Sequence, residues 1–396
     1  MVELIKSLAE QYEDKLVAFR RHLHQNPELS FQEYSTSKFI QKALTELGVP
    51  FQVMATTGVV GQIEGSLQPA SNRVIALRAD IDALPIQEVP GRPYGSSNKS
   101  VMHACGHDMH TASLLGAAYI LTQLKQKFSG TIQLVFQPAE EKIPGGAQLL
   151  IKEGVLQDPP VETMVGQHVQ PSLEVGKIGF RSGKYMASVD ELFLRVKGKG
   201  GHGALPHLVV DPIVVASQVV LACQQVVSRM NDPRIPSVLS WGYIKGEGAH
   251  NVIPDVVELS GTFRTFDEQW RAQAHQKIKN LITGICESLG ATCDFEIKQG
   301  YPFLFNDPEL TGKLQNYAKA YFGAENVVDL DIWTASEDFA YYSHEVPSCF
   351  YRIGTGNKNK GINSPVHTSN FDIDESSLKL GAGAISYFAL MQLLER

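Results

Sequence analysis

Residues 102–110 read MHACGHDMH, so a cysteine and a histidine stand two positions apart in a stretch rich in metal-binding residue types. An extended backbone projects side chains at i and i+2 to the same side. Cys105 and His107 can therefore face one cation, and thiolate with imidazole suits zinc and its transition-metal neighbours. A free cysteine is also a common small core residue, so the pair needs partners. Partners of the right chemistry occur at comparable places. Glu140 and Glu141 follow the apolar run IQLVFQPA. Adjacent carboxylates at the edge of an interior repel each other and are costly to desolvate unless a positive charge lies near. If the strand pleat continues through them they point different ways, one able to bind a cation while the other faces a reacting water. His168 ends TMVGQHV and His367 stands in NSPVHTSNF. Each alone is more often a hydrogen-bonded structural histidine. Their coincidence with the Cys, the His and the Glu pair, all at strand or loop ends, favours a metal centre.

The elements that must position these residues alternate. Helices expected over 3–24, 34–47, 108–127 and 145–153 are interleaved with TGVVGQIEG, RVIALRADID, GTIQLVFQPAEE and TMVGQHV. Unbroken apolar runs such as VIAL and IQLVF suit strands buried on both faces by helices, which is α/β patterning. In such sheets ligands bind beyond the C-terminal strand ends. Asp80, Asp82, the Glu pair and His168 fall there. At about residue 182 the rhythm changes to β-α-β-β-α-β, the split βαβ of a ferredoxin-like domain, with Asp211-Pro212 starting its first helix and Gly290 closing its second. From about 298 the α/β pattern resumes. The expected organisation is one mixed-sheet α/β catalytic domain, residues 1–181 and 298–396, interrupted by an inserted domain, 182–297.

Composition limits the alternatives. A net charge of −7 from 35 basic and 42 acidic residues argues against nucleic-acid binding, which needs a basic face. Neither an 18-residue apolar stretch nor a basic-then-apolar leader is expected, so no membrane partner and a cytoplasmic protein are anticipated. The five cysteines include no C-x-x-C, which disfavours a disulfide framework. GKGGHG, 198–203, matches the dinucleotide fingerprint G-x-G-x-x-G, but that fingerprint needs its third glycine to open a helix, and here the helix starts at Asp211-Pro212. The glycines are better read as a flexible loop presenting His202. No G-x-S-x-G offers a serine nucleophile.

Taken together, RRHLHQNPELSFQE (20–33), RADIDALP (78–85), MHACGHDMH, FQPAEE (136–141), GQHV (166–169), GGHGALPH (200–207), HNVIPD (250–255), GTFRTFD (261–267), SEDFAYY (336–342) and NSPVHTSNF resemble the dinuclear-metal aminoacylase and carboxypeptidase family. The likeness is to its amidohydrolase subgroup, which includes hippurate hydrolases, plant auxin-conjugate hydrolases and bacterial N-acyl-amino-acid deacetylases. It covers essentially the whole chain. The resemblance implies two divalent metal ions, zinc or manganese with cobalt or nickel also compatible, held by Cys105, His107, Glu141, His168 and His367. The wider family bridges its metals with an aspartate, and the cysteine marks the subgroup.

By the same resemblance Glu140 would be the general base, and Asp80 a catalytic support that orients a ligand, with Asp82 the other candidate. His202 would stabilise the oxyanion, in related enzymes across a homodimer formed through the inserted lid domain. Asn251 and Arg264 would bind the substrate. The implied reaction is hydrolysis of an N-acyl amino acid to a carboxylic acid and a free amino acid. A dipeptidase or carboxypeptidase of the same family is the nearest alternative, and an oxidoreductase built on GKGGHG a remote one.

Overall fold

The structure is a computed structural model and describes residues 1–395. Its strands β1 (Phe51–Met54), β2 (Gly58–Glu64), β3 (Val74–Asp80), β4 (Thr131–Gln137), β5 (Thr163–Glu174) and β6 (Ile178–Phe180) join Val327–Asp329 and Ser348–Gly356 in one eight-stranded sheet. The order is β1, β2, β4, β3, β5, Ser348–Gly356, β6, Val327–Asp329. The centre, from β4 through β3 and β5 to Ser348–Gly356, is parallel. The β1/β2 pair and the contact of β6 with Ser348–Gly356 are antiparallel, so the sheet is mixed, as expected. Every residue of β3 is buried, as helices on both faces require.

This sheet belongs to a compact unit comprising Met1–Gly183, Phe305–Asp331 and the chain from Asp338 onward. The helices His107–Gln123 and Ser377–Leu394 pack together in its core and are buried nearly all round. Ser377–Leu394 is long and apolar enough to cross a membrane, which the expectation of no such stretch overlooked; 78% of it is buried, the mark of a core helix. Two further details differ from expectation. The N-terminal helix is two, Val2–Gln11 and Glu13–Gln25, meeting at Tyr12. And β5 does not stop at His168 but runs on to Glu174, because Ser348–Gly356 continues to pair with it after β3 has ended.

A second unit comprises Lys184–Leu304 and Ile332–Glu337. Its strands Ser237–Lys245, Val256–Thr265, Asp190–Lys197 and Thr292–Gln299 lie in that order, all antiparallel. With the helices Pro212–Arg229 and Glu268–Ser288 they give the β-α-β-β-α-β order of a ferredoxin-like fold. Asp211 caps the first helix by accepting from Ile213 and Val214 N–H, and Asp267 caps the second by accepting from Trp270 N–H, as Asp does at N-caps. The segment Ile332–Glu337 was not expected in this unit. Backbone bonds from Trp333 N–H to Tyr185 O and from Ala187 N–H to Trp333 and Ala335 carbonyls hold it there.

Candidate metal centre

Cys105 lies in the loop before the helix His107–Gln123, separated from it by Gly106 in the left-handed conformation at φ 82°. A Cβ at Gly106 would meet Val169 Cγ2 at 2.7 Å, so only glycine lets this turn sit against β5. His168 projects from β5. Glu140 and Glu141 follow β4, and His367 comes from a C-terminal loop whose His367 N–H donates to Ala104 O at 2.7 Å. The first unit thus gathers all five expected ligands and Glu140, drawn from β5, from the chain after β4 and from two loops.

Of the groups of possible ligand atoms lying within 4.8 Å of one another, three join the expected residues: Cys105 with His107 and His168, Cys105 with Glu141 and His367, and His107 with Glu140 and Glu141. Cys105 is common to the first two. Its Sγ lies 3.4 Å from His168 Nε2, and Glu141 Oε1 lies 3.1 Å from His367 Nε2 and 4.0 Å from His107 Nε2. The donor set fits divalent cations on a specific observation: His107 Nε2 is buried without a hydrogen-bond partner, a costly arrangement for protein alone.

The outer contacts prepare the ligands. His168 Nδ1 donates to Val169 O at 2.9 Å, and His107 Nδ1 donates to Asp82 O at 2.9 Å with Asp82 Oδ1 at 3.2 Å. Since a carbonyl can only accept, both rings carry their proton on Nδ1 and turn the Nε2 lone pair inward. Burial would lower the His107 ring, but Asp80, Asp82 and the Cys105 sulfur outweigh it and raise it well above the usual imidazole range. Burial and Arg352 hold His168 well below that range. Burial, then Glu141, raises the Cys105 thiol, while bonding to Cys105 and Glu141 pushes His367 up to about 10. Divalent cations held there would need the thiolate and neutral imidazoles, so their binding would release protons.

Of the two aspartates after VIALRA, Asp82 is the one on His107 Nδ1. Asp80, expected to orient a ligand, instead accepts from His110 Nδ1 at 2.6 Å and Arg78 at 2.7 Å, and stands 3.7 Å from His107 Nε2. His110 Nε2 accepts Val169 N–H at 2.9 Å, so this histidine ties the end of β3 to the backbone beside His168. Asp108 accepts from Arg20 Nε and His24 Nδ1. Arg78 also bonds Asp338, which receives Gln137 as well. Sequence reasoning did not single out Glu33, whose carboxyl is pushed up to about 6 by burial and by the charge of Asp82, nor Ser30, which donates to Asp82 at 2.6 Å. The signal was PELSFQE, which carries buried polar residues just ahead of a helix.

In the second unit GKGGHG forms no helix start. Gly201–His202 pairs with Val252–Ile253 as a two-stranded ribbon, Gly203 N–H donates to Asn251 O at 2.8 Å, and His202 and Asn251 are both exposed. The ribbon follows Lys197 and precedes Val256, which are paired at one end of the central strands. Arg264 follows Phe263, paired with Asp190 at the other end. Its guanidinium bonds Thr334 O at 3.1 Å. The two ends are seven residues apart in register (197 less 190), roughly 24 Å at about 3.4 Å per residue. The second unit therefore does not bring His202 and Asn251 together with Arg264.

Comparison with known proteins agrees with this architecture. Residues 76–391 match the model for peptidase family M20/M25/M40. The chain is 41% identical over 384 residues to the N-acetyl-L-cysteine deacetylase of Bacillus subtilis, covering 97% of this chain and 89% of that one. It is 39% identical to thermostable carboxypeptidase 2 of Saccharolobus solfataricus, with 98% of each covered. The crystal structure of the Bacillus subtilis YXEP protein, a dinuclear metal-binding M20 peptidase, superposes with a TM-score of 0.83 at 34% identity over 98% of this chain and 100% of that one. With the match spanning most of its length and relatives near 40% identity along nearly all of it, the chain belongs to the peptidase family M20/M25/M40.

Proposed function

We propose that the chain is a metal-dependent amidohydrolase that cleaves N-acyl amino acids to a carboxylic acid and a free amino acid. The observation that carries this reading is the sharing of Cys105 between a His107/His168 group and a Glu141/His367 group, with Glu140 beside them. The deacetylase relative's named activity supports it. Two divalent cations, zinc or manganese, held by these five residues would supply Lewis acidity toward the amide carbonyl and its attacking water. Glu140, buried at the end of β4, acts as general base: it accepts a proton from the water and returns it to the departing amine nitrogen. Asp82 and the Val169 carbonyl fix the His107 and His168 rings so that no lone pair turns away during the reaction.

His202 donates to the developing oxyanion, while Asn251 and Arg264 bind the substrate, with the guanidinium fork on the amino-acid carboxylate. The separation of His202 and Asn251 from Arg264 within one unit favours a site completed by His202 and Asn251 of a second copy. A homodimer has a natural surface in the second unit, where the edge strand Ser237–Lys245 exposes Tyr243 and Ile244 and the helix Pro212–Arg229 exposes Ile213, Val214 and Leu221, a patch that association would cover. The acidic balance disfavours nucleic-acid partners, and the burial of the membrane-length helix fits a core helix.

The carboxypeptidase relative favours a second reading, cleavage of peptides. One panel separates the two: elemental analysis of the purified protein, followed by amine release from N-acetyl, N-benzoyl and indole-acyl amino acids beside dipeptides. The proposal expects bound divalent metal, N-acyl substrates cleaved fastest and loss of activity on chelation. Preference for dipeptides, or a bound nicotinamide or flavin without metal, overturns it.

A further inference from the structure

Immediately before the Glu140–Glu141 pair, Ala139 has a φ of 52°. In this left-handed conformation a Cβ crowds the following carbonyl, and it persists only where neighbours over-determine it. Two neighbours do so. Gly146 N–H donates to Ala139 O at 3.1 Å, and Ala139 N–H donates to Glu33 Oε1 at 2.8 Å. Gly146 has no substitute there, since its Cβ would fall 1.8 Å from Pro138 O.

Glu33 is fully buried. The same Oε1 accepts Phe31 N–H at 3.0 Å, and Oε2 accepts the Thr57 hydroxyl at 2.8 Å. These partners are two amides and a hydroxyl, with no cation among them, so the carboxyl is expensive to bury and its retention calls for a reason. The surrounding segment braces the same corner of the sheet. Glu28 O accepts Ala83 N–H at 2.8 Å, Ser30 donates to Asp82 Oδ2, and that oxygen accepts Glu141 N–H at 3.0 Å. The chain on either side of Glu140 is thus anchored from residues 28–33, directly at Ala139 and through Asp82 at Glu141.

We propose that Glu33 is a positioning residue for catalysis: by accepting the Ala139 N–H it locks the left-handed turn and so aims the Glu140 carboxylate. This rests on the reading of Glu140 as general base. Glu33 itself touches neither substrate nor water. Its removal frees Ala139 to relax toward ordinary φ values and swings Glu140 off line.

The test combines kinetics at saturating metal, on the N-acyl amino acid the wild type cleaves fastest, with thermal melting and deuterium uptake of the peptide spanning 138–141. Glu33→Ala should lower kcat by up to about 100-fold, the cost of an ångström-scale misplacement, leave KM nearly unchanged and speed exchange at 138–141. Glu33→Gln keeps a carbonyl for Ala139 N–H and an amide for the Thr57 oxygen, and should recover most of the turnover. Thr57→Val removes only the hydroxyl partner and should lower the melting temperature without moving kcat or exchange at 138–141. If Glu33→Ala does not fold, Glu33→Asp, which withdraws the carboxylate by one methylene, should show the same kcat loss. An inactive Glu140→Gln beside a Glu33→Ala or Glu33→Asp with wild-type kcat overturns the positioning role alone. A fully active Glu140→Gln overturns the reading it rests on.

Discussion

At the scale of single residues, the candidate ligands could be singled out because histidines and paired carboxylates are expensive to bury without partners, and Cys105 stands two positions from one of those histidines. The supporting contacts were less so. Asp80 and Asp82 are two apart, so strand alternation gives both the same side and cannot separate them. The structure does, because β3 ends at Asp80 and the chain turns there, bringing Asp82 to His107 Nδ1 and leaving Asp80 to Arg78 and His110. Asp82→Ala should therefore weaken metal binding about 10- to 100-fold, as loss of an orienting partner does. Asp80→Asn, which leaves the His107 Nδ1 bonds intact, should change it less. Competitive metal titration of the two variants decides, and equal losses would contradict the assignment.

At the scale of elements, apolar runs and caps foretold most strands and both helices of the second unit. What local pattern could not foretell was pairing: β5 passes His168 because its neighbour continues, and IWTASE joins the second unit by backbone bonds to residues nearly 150 positions earlier. Loop anchoring is equally non-local. Glu88 accepts from His24 at 3.2 Å, Arg92 at 2.8 Å and Ser96 N–H at 2.6 Å, which ties the loop before the Cys105 segment to the helix Glu13–Gln25. Burial favours the neutral carboxyl, but bonding to His24, Ser96 N–H and Arg92 outweighs it and holds the group down at about 2. A carboxyl at about 4.3 when unfolded and lower when folded stabilises above its unfolded value, and that contribution fades as the pH falls. Glu88→Gln should thus melt earlier than wild type at neutral pH, with the difference shrinking from about pH 5 and gone near pH 2. A difference constant across that range would show that the charge of Glu88 is not what matters.

At the scale of the whole molecule, the family resemblance was readable because its motifs are spread through both units rather than confined to one segment. How copies assemble is a property of surfaces, which one sequence reveals only as scattered exposed apolar residues. If His202 acts across a dimer, mixing His202→Ala with Glu140→Gln protein gives heterodimers with one intact site, and equal mixing restores about a quarter of wild-type activity. No recovery after verified subunit exchange would mean that His202 serves its own chain. The central claim, amide hydrolysis with Glu140 as base in a metal site built around Cys105, meets its most direct test in one comparison: amine release from an N-acyl amino acid by wild type and Glu140→Gln at matched metal content. The expected result is unchanged metal stoichiometry and a rate lower by about 10² to 10⁴; a variant that keeps both its metal and its full rate would remove Glu140 from the chemistry.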